Sequence, residues 1–113
     1  MRARRWSVRA DLFDRVWNVR SSLVQGAPVS QAASEAGLCP RHFERVFADV
    51  AGQPPAVFRR NARLELARRA ILEGASVTEA QAAARYASAS TFCREFRRRY
   101  GLAPSEVAAR MSR

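Results

Sequence analysis

Short helical segments separated by clusters of glycine and proline account for most of the chain. Turns are predicted where these residues group together, at residues 26–28, 37–40, 52–55, 74–76 and 101–104. Between the turns Ala, Arg, Leu and Glu dominate, and no stretch alternates apolar and polar positions for long enough to indicate a strand. The pattern therefore predicts an all-α protein.

The apolar positions within these segments predict seven helices, over residues 11–25, 30–36, 40–50, 55–73, 78–84, 90–100 and 104–111. One face of the first helix is expected to turn inward, with Phe13, Val16, Trp17, Arg20 and Val24. Trp17 is expected in the core. The inward positions of the long fourth helix are expected to be Phe58, Ala62, Leu66 and Ile71.

The chain resembles itself at a nearly fixed offset. Residues of the first half recur 49 positions later, with Phe43, Arg45, Phe47, Gly52 and Pro55 matching Phe92, Arg94, Phe96, Gly101 and Pro104. Upstream the offset is 48, because Val29 recurs as Val77. The second turn is therefore one residue longer. Each copy predicts a short helix, a tight turn and a longer helix, which is a helix-turn-helix unit.

The second helix of such a unit packs one face into its own core and leaves the other for the DNA major groove. The inward stripes are Phe43, Val46 and Phe47 in the first copy, and Phe92 and Phe96 in the second. The outward positions are Arg41, His42, Glu44 and Arg45, and then Ser90, Thr91, Arg94 and Glu95. Arginine can donate two hydrogen bonds to guanine, and hydroxyl groups can meet base edges or phosphates. We therefore expect Arg45 and Arg94, which recur at the same place, to contact DNA.

The helix between the two units predicts their spacing. About twenty residues rising 1.5 Å each span roughly 30 Å, close to the roughly 34 Å turn of B-DNA. Two recognition helices are therefore expected to enter successive major grooves, so that a monomer reads an asymmetric site.

Charge supports a nucleic-acid partner. The 113 residues include 20 basic residues, all of them Arg, against 10 acidic ones, for a formal net charge of +10 that attracts polyanions. Arg97, Arg98 and Arg99 are placed for phosphate contacts, and the alternative is a solvated basic helix end that complements the helix dipole. Ser76 and Ser88 are further candidates for phosphate contacts.

Other classes of protein find little support. The chain has one His and two Cys, and it has neither a glycine-rich phosphate loop nor an H-E-x-x-H motif, so we expect no enzyme and no cofactor. Cys39, His42 and Cys93 fall in different subdomains, so no metal site is predicted. The sequence has neither an apolar run long enough to span a membrane nor the apolar core of a signal peptide. We expect a soluble, cytoplasmic protein with no membrane partner.

Several segments carry a family resemblance. They are Phe43-x-x-x-Phe47, Gly52-Gln53-Pro54-Pro55, Arg63-Leu64-Glu65-Leu66-Ala67-Arg68-Arg69 and the stretch 92–104, which reads FCREFRRRYGLAP. Over about residues 12–110 the chain resembles the bacterial AraC/XylS-type transcription regulators. The resemblance implies seven helices forming two helix-turn-helix subdomains joined by a long connecting helix. It also implies binding to double-stranded promoter DNA and, usually, activation through contact with RNA polymerase.

By position, the resemblance places base contacts on Arg41, Glu44, Arg45, Ala89, Ser90 and Arg94. Residues 1–10 form a basic arm with no apolar period, and the resemblance implies a DNA-binding domain at 11–113. That domain divides into a first subdomain at 11–53, a linker helix at 54–74 and a second subdomain at 75–113. We expect no small-molecule ligand, because the chain resembles short single-domain members or the DNA-binding end of a longer regulator.

Some residues depart from the family pattern. Gln81 stands where the family has a small residue, and Arg85 where it has Gly in a left-handed turn, which costs roughly 1–2 kcal/mol for another residue. Cys39 and Ala103 are poor helix N-caps. The second unit is therefore expected to be distorted, less stable or less discriminating. An alternative is an accessory or protein-interaction regulator whose second unit no longer reads bases, and a third is a non-specific nucleic-acid binder.

Overall fold

The computed structural model describes residues 11–112, which form helices joined by short turns and contain no strand. Helix α1 is described over residues 11–18. It is followed by α2 (Arg20–Val24), α3 (Val29–Glu35), α4 (Pro40–Ala51), α5 (Pro55–Leu72), α6 (Val77–Ala83), α7 (Ala89–Tyr100) and α8 (Pro104–Met111). The all-α prediction is confirmed, and α1 and α2 together fill the predicted first helix. The basic arm predicted at residues 1–10 lies outside the described residues.

The chain forms two compact units that divide inside α5, between Arg59 and Arg60. The core of the first unit consists of Val16, Val19, Leu23, Ala32, Ala33, Ala36, Phe43 and Phe47. The core of the second consists of Leu64, Ala67, Ile71, Ala80, Ala84, Tyr86, Phe92 and Phe96. Seven of the eight positions in each core match at an offset of 48 or 49 residues. The duplication therefore extends upstream of the helix-turn-helix, and α5 corresponds in part to α1 and α2.

The first helix turns a different face inward from the predicted one. Trp17 is 36% exposed and Phe13 is 50% exposed, so the prediction of Trp17 in the core is wrong. Val16 is buried as predicted, and Val19 and Leu23 are buried with it in place of Phe13 and Trp17. Small branched side chains fit the space beside the Phe pair of α4, and the bulkier aromatic rings remain on the surface.

Helix α5 shows a similar shift. Ile71 is buried as predicted, but Leu66, also predicted to point inward, is 37% exposed, and Leu64 and Ala67 are buried in its place. The three buried residues are the counterparts of Val16, Val19 and Leu23 at the offset of 48. The duplication would therefore have identified the correct face of both helices.

The turn between the two helices of each motif uses a left-handed residue. Gly37 has φ 72° in the first unit, and Arg85, its counterpart, has φ 61° in the second. The residue after each left-handed position donates a backbone hydrogen bond to the preceding helix. Leu38 N–H donates to the carbonyl of Ala33 at 3.0 Å, and Tyr86 N–H donates to the carbonyl of Gln81 at 3.1 Å. The second turn keeps the backbone hydrogen bonds of the first, with a residue that strains the left-handed conformation.

Gln81 fits at the position where a small residue was expected. Its counterpart Ala33 is buried, whereas Gln81 is half-buried. The Gln81 side-chain amide donates to the backbone carbonyl of Tyr86 at 3.0 Å. The long side chain therefore bends along the turn and binds it, which adds a hydrogen bond that the first unit does not have at this position.

Candidate nucleic-acid interface

Helix α4 separates a buried stripe from an exposed one. Phe43 and Phe47 are fully buried with ring centroids 5.6 Å apart, and the ring of Phe58 meets Phe47 edge-on at 5.2 Å. The polar side chains predicted to face outward are all exposed, namely Arg41, His42, Glu44 and Arg45. The apolar core fixes the rotation of α4 about its axis, and that rotation presents four polar side chains on one surface.

Helix α4 begins at Pro40 without a side-chain cap. Cys39 occupies the N-cap position in an extended conformation, and its side chain accepts no hydrogen bond from the first turn. Ala103 stands in the same way before Pro104 at the start of α8. The prediction that neither residue caps its helix is confirmed, and the proline at the first helical position compensates in part because it has no N–H to satisfy.

Helix α7 presents a related surface in the second unit. Phe92 and Phe96 are fully buried, and their ring centroids lie 5.7 Å apart. Ala89, Ser90 and Arg94 are exposed. The exposed Arg94 and Arg45 of the first unit hold corresponding positions, each two residues after the first buried Phe of its helix.

Two of the predicted contact residues at the start of α7, Ser88 and Ser90, already use their hydroxyl groups in hydrogen bonds within the protein. Thr91 is half-buried, and its N–H donates to the hydroxyl of Ser88, the N-cap residue, at 3.3 Å. Ser88 Oγ also lies 3.0 Å from Ser90 Oγ. These hydroxyl groups therefore define the start of α7, and a DNA contact would use their remaining hydrogen-bonding capacity.

Glu95, predicted to face outward, is half-buried and accepts a hydrogen bond from the Tyr86 hydroxyl. Burial raises the pKa of Tyr86, and the Glu95 carboxylate raises it further. Tyr86 is thus a neutral hydrogen-bond donor that holds Glu95 against the second core. The predicted outward position of Glu95 is therefore only partly accessible, because its carboxylate is bound to Tyr86.

Ser76 caps helix α6. Its hydroxyl accepts from Glu79 N–H at 3.1 Å, while the Glu79 carboxylate accepts from Ser76 N–H at 2.9 Å, which completes a capping box. The hydrogen bonds from Ser76 hold the pKa of Glu79 below its usual value. Ser76 is exposed, so its predicted phosphate contact is sterically open but shares the hydroxyl with the cap.

The three consecutive arginines at the end of α7 differ in their surroundings. The Arg97 guanidinium donates to Glu106 of α8 at 3.1 Å. Arg98 and Arg99 line an open cleft together with Arg60, Asn61 and Glu95. All three arginines are exposed. The predicted phosphate contacts at the end of α7 therefore fall in two different electrostatic environments.

An arginine in each unit connects the first helix to the turn before the recognition helix. The Arg15 guanidinium donates to the carbonyl of Ala36 at 2.7 and 3.1 Å. Arg63 donates to the corresponding carbonyl of Ala84 at 2.9 Å and also to the carbonyl of Arg85. The sequence interpretation missed both arginines, although their identity at the offset of 48 was a usable signal. They position the recognition helices by fixing the turns.

Metal and membrane sites find no support among the described residues. Across residues 11–112 no three His, Cys, Asp or Glu side chains come together in a group that could hold a metal ion. Cys39 is exposed and Cys93 is half-buried, and both are free thiols. None of the helices in the described part of the chain is long and apolar enough to cross a membrane.

Comparison with protein families identifies the repeated motif. The model of a helix-turn-helix domain family matches residues 32–110. The HTH-type transcriptional regulator Rv1931c of Mycobacterium tuberculosis is 37% identical to the chain over 79 residues. That match covers 69% of this chain and 30% of the relative, so the chain spans about 30% of the relative's length.

Solved structures share the fold. A DNA-binding transcriptional dual regulator from Escherichia coli K-12 matches with a TM-score of 0.72 and 22% identity, over 89% of this chain and 92% of that one. An AraC-type DNA-binding regulator from Chromobacterium violaceum matches with a TM-score of 0.73 and 20% identity, over 95% and 96%. The C-terminal domain of AraT, a response regulator from Geobacillus stearothermophilus, matches with a TM-score of 0.74 and 15% identity, over 88% and 84%. At these identities the likeness shows the fold alone.

Proposed function

Because the chain belongs to the AraC-type helix-turn-helix family of DNA-binding transcription regulators rather than to a class of enzymes, we propose that it recognises an asymmetric promoter site. In this proposal α4 and α7 enter successive major grooves of double-stranded DNA, the protein binds as a monomer, and it activates transcription by contacting RNA polymerase.

One observation carries the proposal. Arg45 and Arg94 are exposed, identical and equivalent in the duplication, each on the face of its helix opposite a buried Phe pair. The core does not require arginine at either position, because neither side chain is buried. An arginine on the outer face of a recognition helix can donate two hydrogen bonds to the O6 and N7 atoms of guanine. We assign Arg45 and Arg94 as the principal base contacts.

The remaining outward side chains supply the rest of the proposed interface. The proposed base contacts are Arg41, His42, Glu44, Arg45, Ala89, Ser90, Thr91 and Arg94. The proposed phosphate contacts are Arg97, Arg98, Arg99, Ser76 and Ser88. The formal net charge of +10 favours association with DNA of any sequence, so specificity must come from the base contacts.

The test is a selection from random duplexes at physiological salt, followed by anisotropy titrations of the selected site. We expect two boxes whose centres lie about one helical turn, roughly 10 base pairs, apart. Arg45→Ala and Arg94→Ala should each weaken binding about 5- to 150-fold, corresponding to about 1–3 kcal/mol, and relax preference in one box only. Arg110→Ala, which removes an exposed arginine of α8 that forms no ion pair among the described residues, is the matched control.

The outcomes separate the alternatives. An equal loss of affinity on every sequence would make the mutated arginine a phosphate contact. A single box that is insensitive to Arg94→Ala would favour a second unit that contacts a protein instead of bases. No enrichment at all would refute specific recognition. Transcription from the selected site with purified RNA polymerase, with and without the protein, tests activation.

A further inference from the structure

A basic cleft in the second unit extends beyond the residues proposed to read bases. It is lined by Arg60 and Asn61 of α5 and by Glu95, Arg98 and Arg99 of α7, and we call this set the basic cleft. Its three arginines are exposed, and within residues 11–112 none of them forms an ion pair. Its one carboxylate already accepts a hydrogen bond from Tyr86. The basic cleft therefore gathers three positive charges against one carboxylate, and none of the three arginines is ion-paired within the described part of the protein.

The first unit shows that the fold does not require these charges. The counterparts of the basic cleft at offsets of 48 and 49 are Leu12, Phe13, Val46, Asp49 and Val50. Leu12 and Val46 pack against the first core. The same helical frame thus forms with mostly apolar side chains at these positions. Three arginines that repel one another are a cost to the second unit unless an anion binds there.

The basic cleft adjoins the proposed base-reading surface. Arg98 follows Arg94 by four residues, so the two side chains lie on the same face of α7, one turn apart. Arg60 and Asn61 approach this end of α7 from α5. If Arg94 reaches a base edge, the negative groups that lie one helical turn away are the phosphates that border the groove.

We propose that the basic cleft is a clamp for a phosphate group of the DNA backbone, with Arg60 and Asn61 donating from α5 and Arg98 and Arg99 from α7. Guanidinium groups match phosphate oxygens in bidentate geometry, and the Asn61 amide adds a neutral donor. The inference rests on the proposed function, which it deepens: it adds Arg60 and Asn61 to the interface and separates Arg98 and Arg99 from the ion-paired Arg97.

The first test measures how affinity for the selected duplex depends on salt. Each neutralised phosphate contributes about 0.9 to the slope of log K against log salt concentration, so Arg60→Ala should reduce the slope by about 1. If the wild type and Arg60→Ala bind equally at 1 M salt, the same relation predicts that Arg60→Ala binds about fivefold more weakly at 0.15 M salt and about fifteenfold more weakly at 0.05 M. Arg110→Ala removes an equal charge from α8, outside the basic cleft and with no ion pair among the described residues, and should change the slope by clearly less.

The second test locates the phosphate. Duplexes that carry one neutral methylphosphonate at each backbone position in turn are titrated with the wild type and with Arg60→Ala. We expect one position where the neutral linkage weakens wild-type binding but has no further effect on Arg60→Ala. Arg98→Ala should lose sensitivity at the same position. Melting temperatures equal to or slightly above that of the wild type show that the variants are folded, since Arg60 and Arg98 are exposed and removing either relieves repulsion within the basic cleft.

Several results would overturn the clamp. A salt slope of Arg60→Ala equal to that of the wild type would exclude a DNA phosphate and point to an acidic protein surface as the partner. Binding of inorganic phosphate to the free protein that Arg60→Ala abolishes, together with a methylphosphonate profile that Arg60→Ala leaves unchanged, would assign the cleft to a free anion. Absence of any selected site would refute the proposed function itself. If a site is selected but every methylphosphonate linkage weakens Arg60→Ala as much as it weakens the wild type, only the clamp is refuted.

Discussion

Replacing Arg85 by glycine should stabilise the second unit. Arg85 is the only residue other than glycine with positive φ among residues 11–112. A left-handed backbone costs an L-residue roughly 1–2 kcal/mol, and glycine relieves that cost. Glycine also gives the unfolded chain more freedom, which offsets about 0.4–1 kcal/mol. The net gain is about 1 kcal/mol.

The hydrogen bonds of the turn should survive the substitution because they involve the backbone. Arg85 N–H donates to Ala82 at 3.0 Å, and the Arg85 carbonyl accepts from Arg63. The Arg85 side chain is exposed and forms no ion pair within the described residues. A gain of about 1 kcal/mol corresponds to a rise in melting temperature of about 4–8 °C for a domain of this size. Thermal and urea unfolding followed by circular dichroism measure both quantities.

Two control variants separate backbone strain from charge. Arg85→Ala removes the guanidinium but keeps the strain, so it should leave the stability nearly unchanged. Gly37→Ala introduces the same backbone strain into the first unit, and the new Cβ would also lie 3.1 Å from Arg15 Nη2. Both effects should destabilise the first unit. An equal gain in Arg85→Ala and Arg85→Gly would mean that relief of charge repulsion, not strain, is responsible. A lower melting temperature for Arg85→Gly would refute the left-handed turn.

Two further predictions concern the second unit. Ser76→Ala should lower the free energy of unfolding by about 1 kcal/mol, because it removes the cap of α6. Ser76→Asp should keep the cap but weaken DNA binding if Ser76 faces a phosphate. Retained affinity in Ser76→Asp would contradict the phosphate contact. Hydrogen bonding from Arg68 lowers the pKa of Glu65 to about 2, with burial opposing and Tyr100 assisting. Because the folded pKa is depressed below the ordinary value of 4.5, stability present above pH 4.5 should decline as the pH falls toward 2. Glu65→Gln should flatten this acid dependence in urea titrations, and an unchanged profile would contradict it.

The sequence predicted the helices and the duplication well because both depend on local signals. The Gly and Pro clusters marked the turns, and the recurring Phe pairs marked the buried faces of α4 and α7. The prediction that Phe13 and Trp17 point inward was wrong, although both are strongly apolar and lie on one face of the first helix. Burial, however, depends on what fits beside Phe43 and Phe47.

Other features of the site were not visible because they depend on tertiary contacts. Neither composition nor spacing indicated that the Tyr86 hydroxyl would bind Glu95, or that Arg60 and Arg98 would line one cleft. The arrangement of these side chains is set by the packing of α5 on the second helix-turn-helix. The duplication contained part of this information, because positions that stay the same serve the frame and positions that differ are free to serve another purpose.

That distinction has a consequence for the DNA site. The two recognition helices share the buried Phe pairs and the exposed Arg45 and Arg94, but their other outward residues differ, since Arg41 corresponds to Ser90 and His42 to Thr91. Two identical surfaces would read two copies of one sequence. Two surfaces that share one arginine should read boxes that have a guanine in common and differ at neighbouring positions. The asymmetry of the proposed site therefore follows from divergence within a single chain.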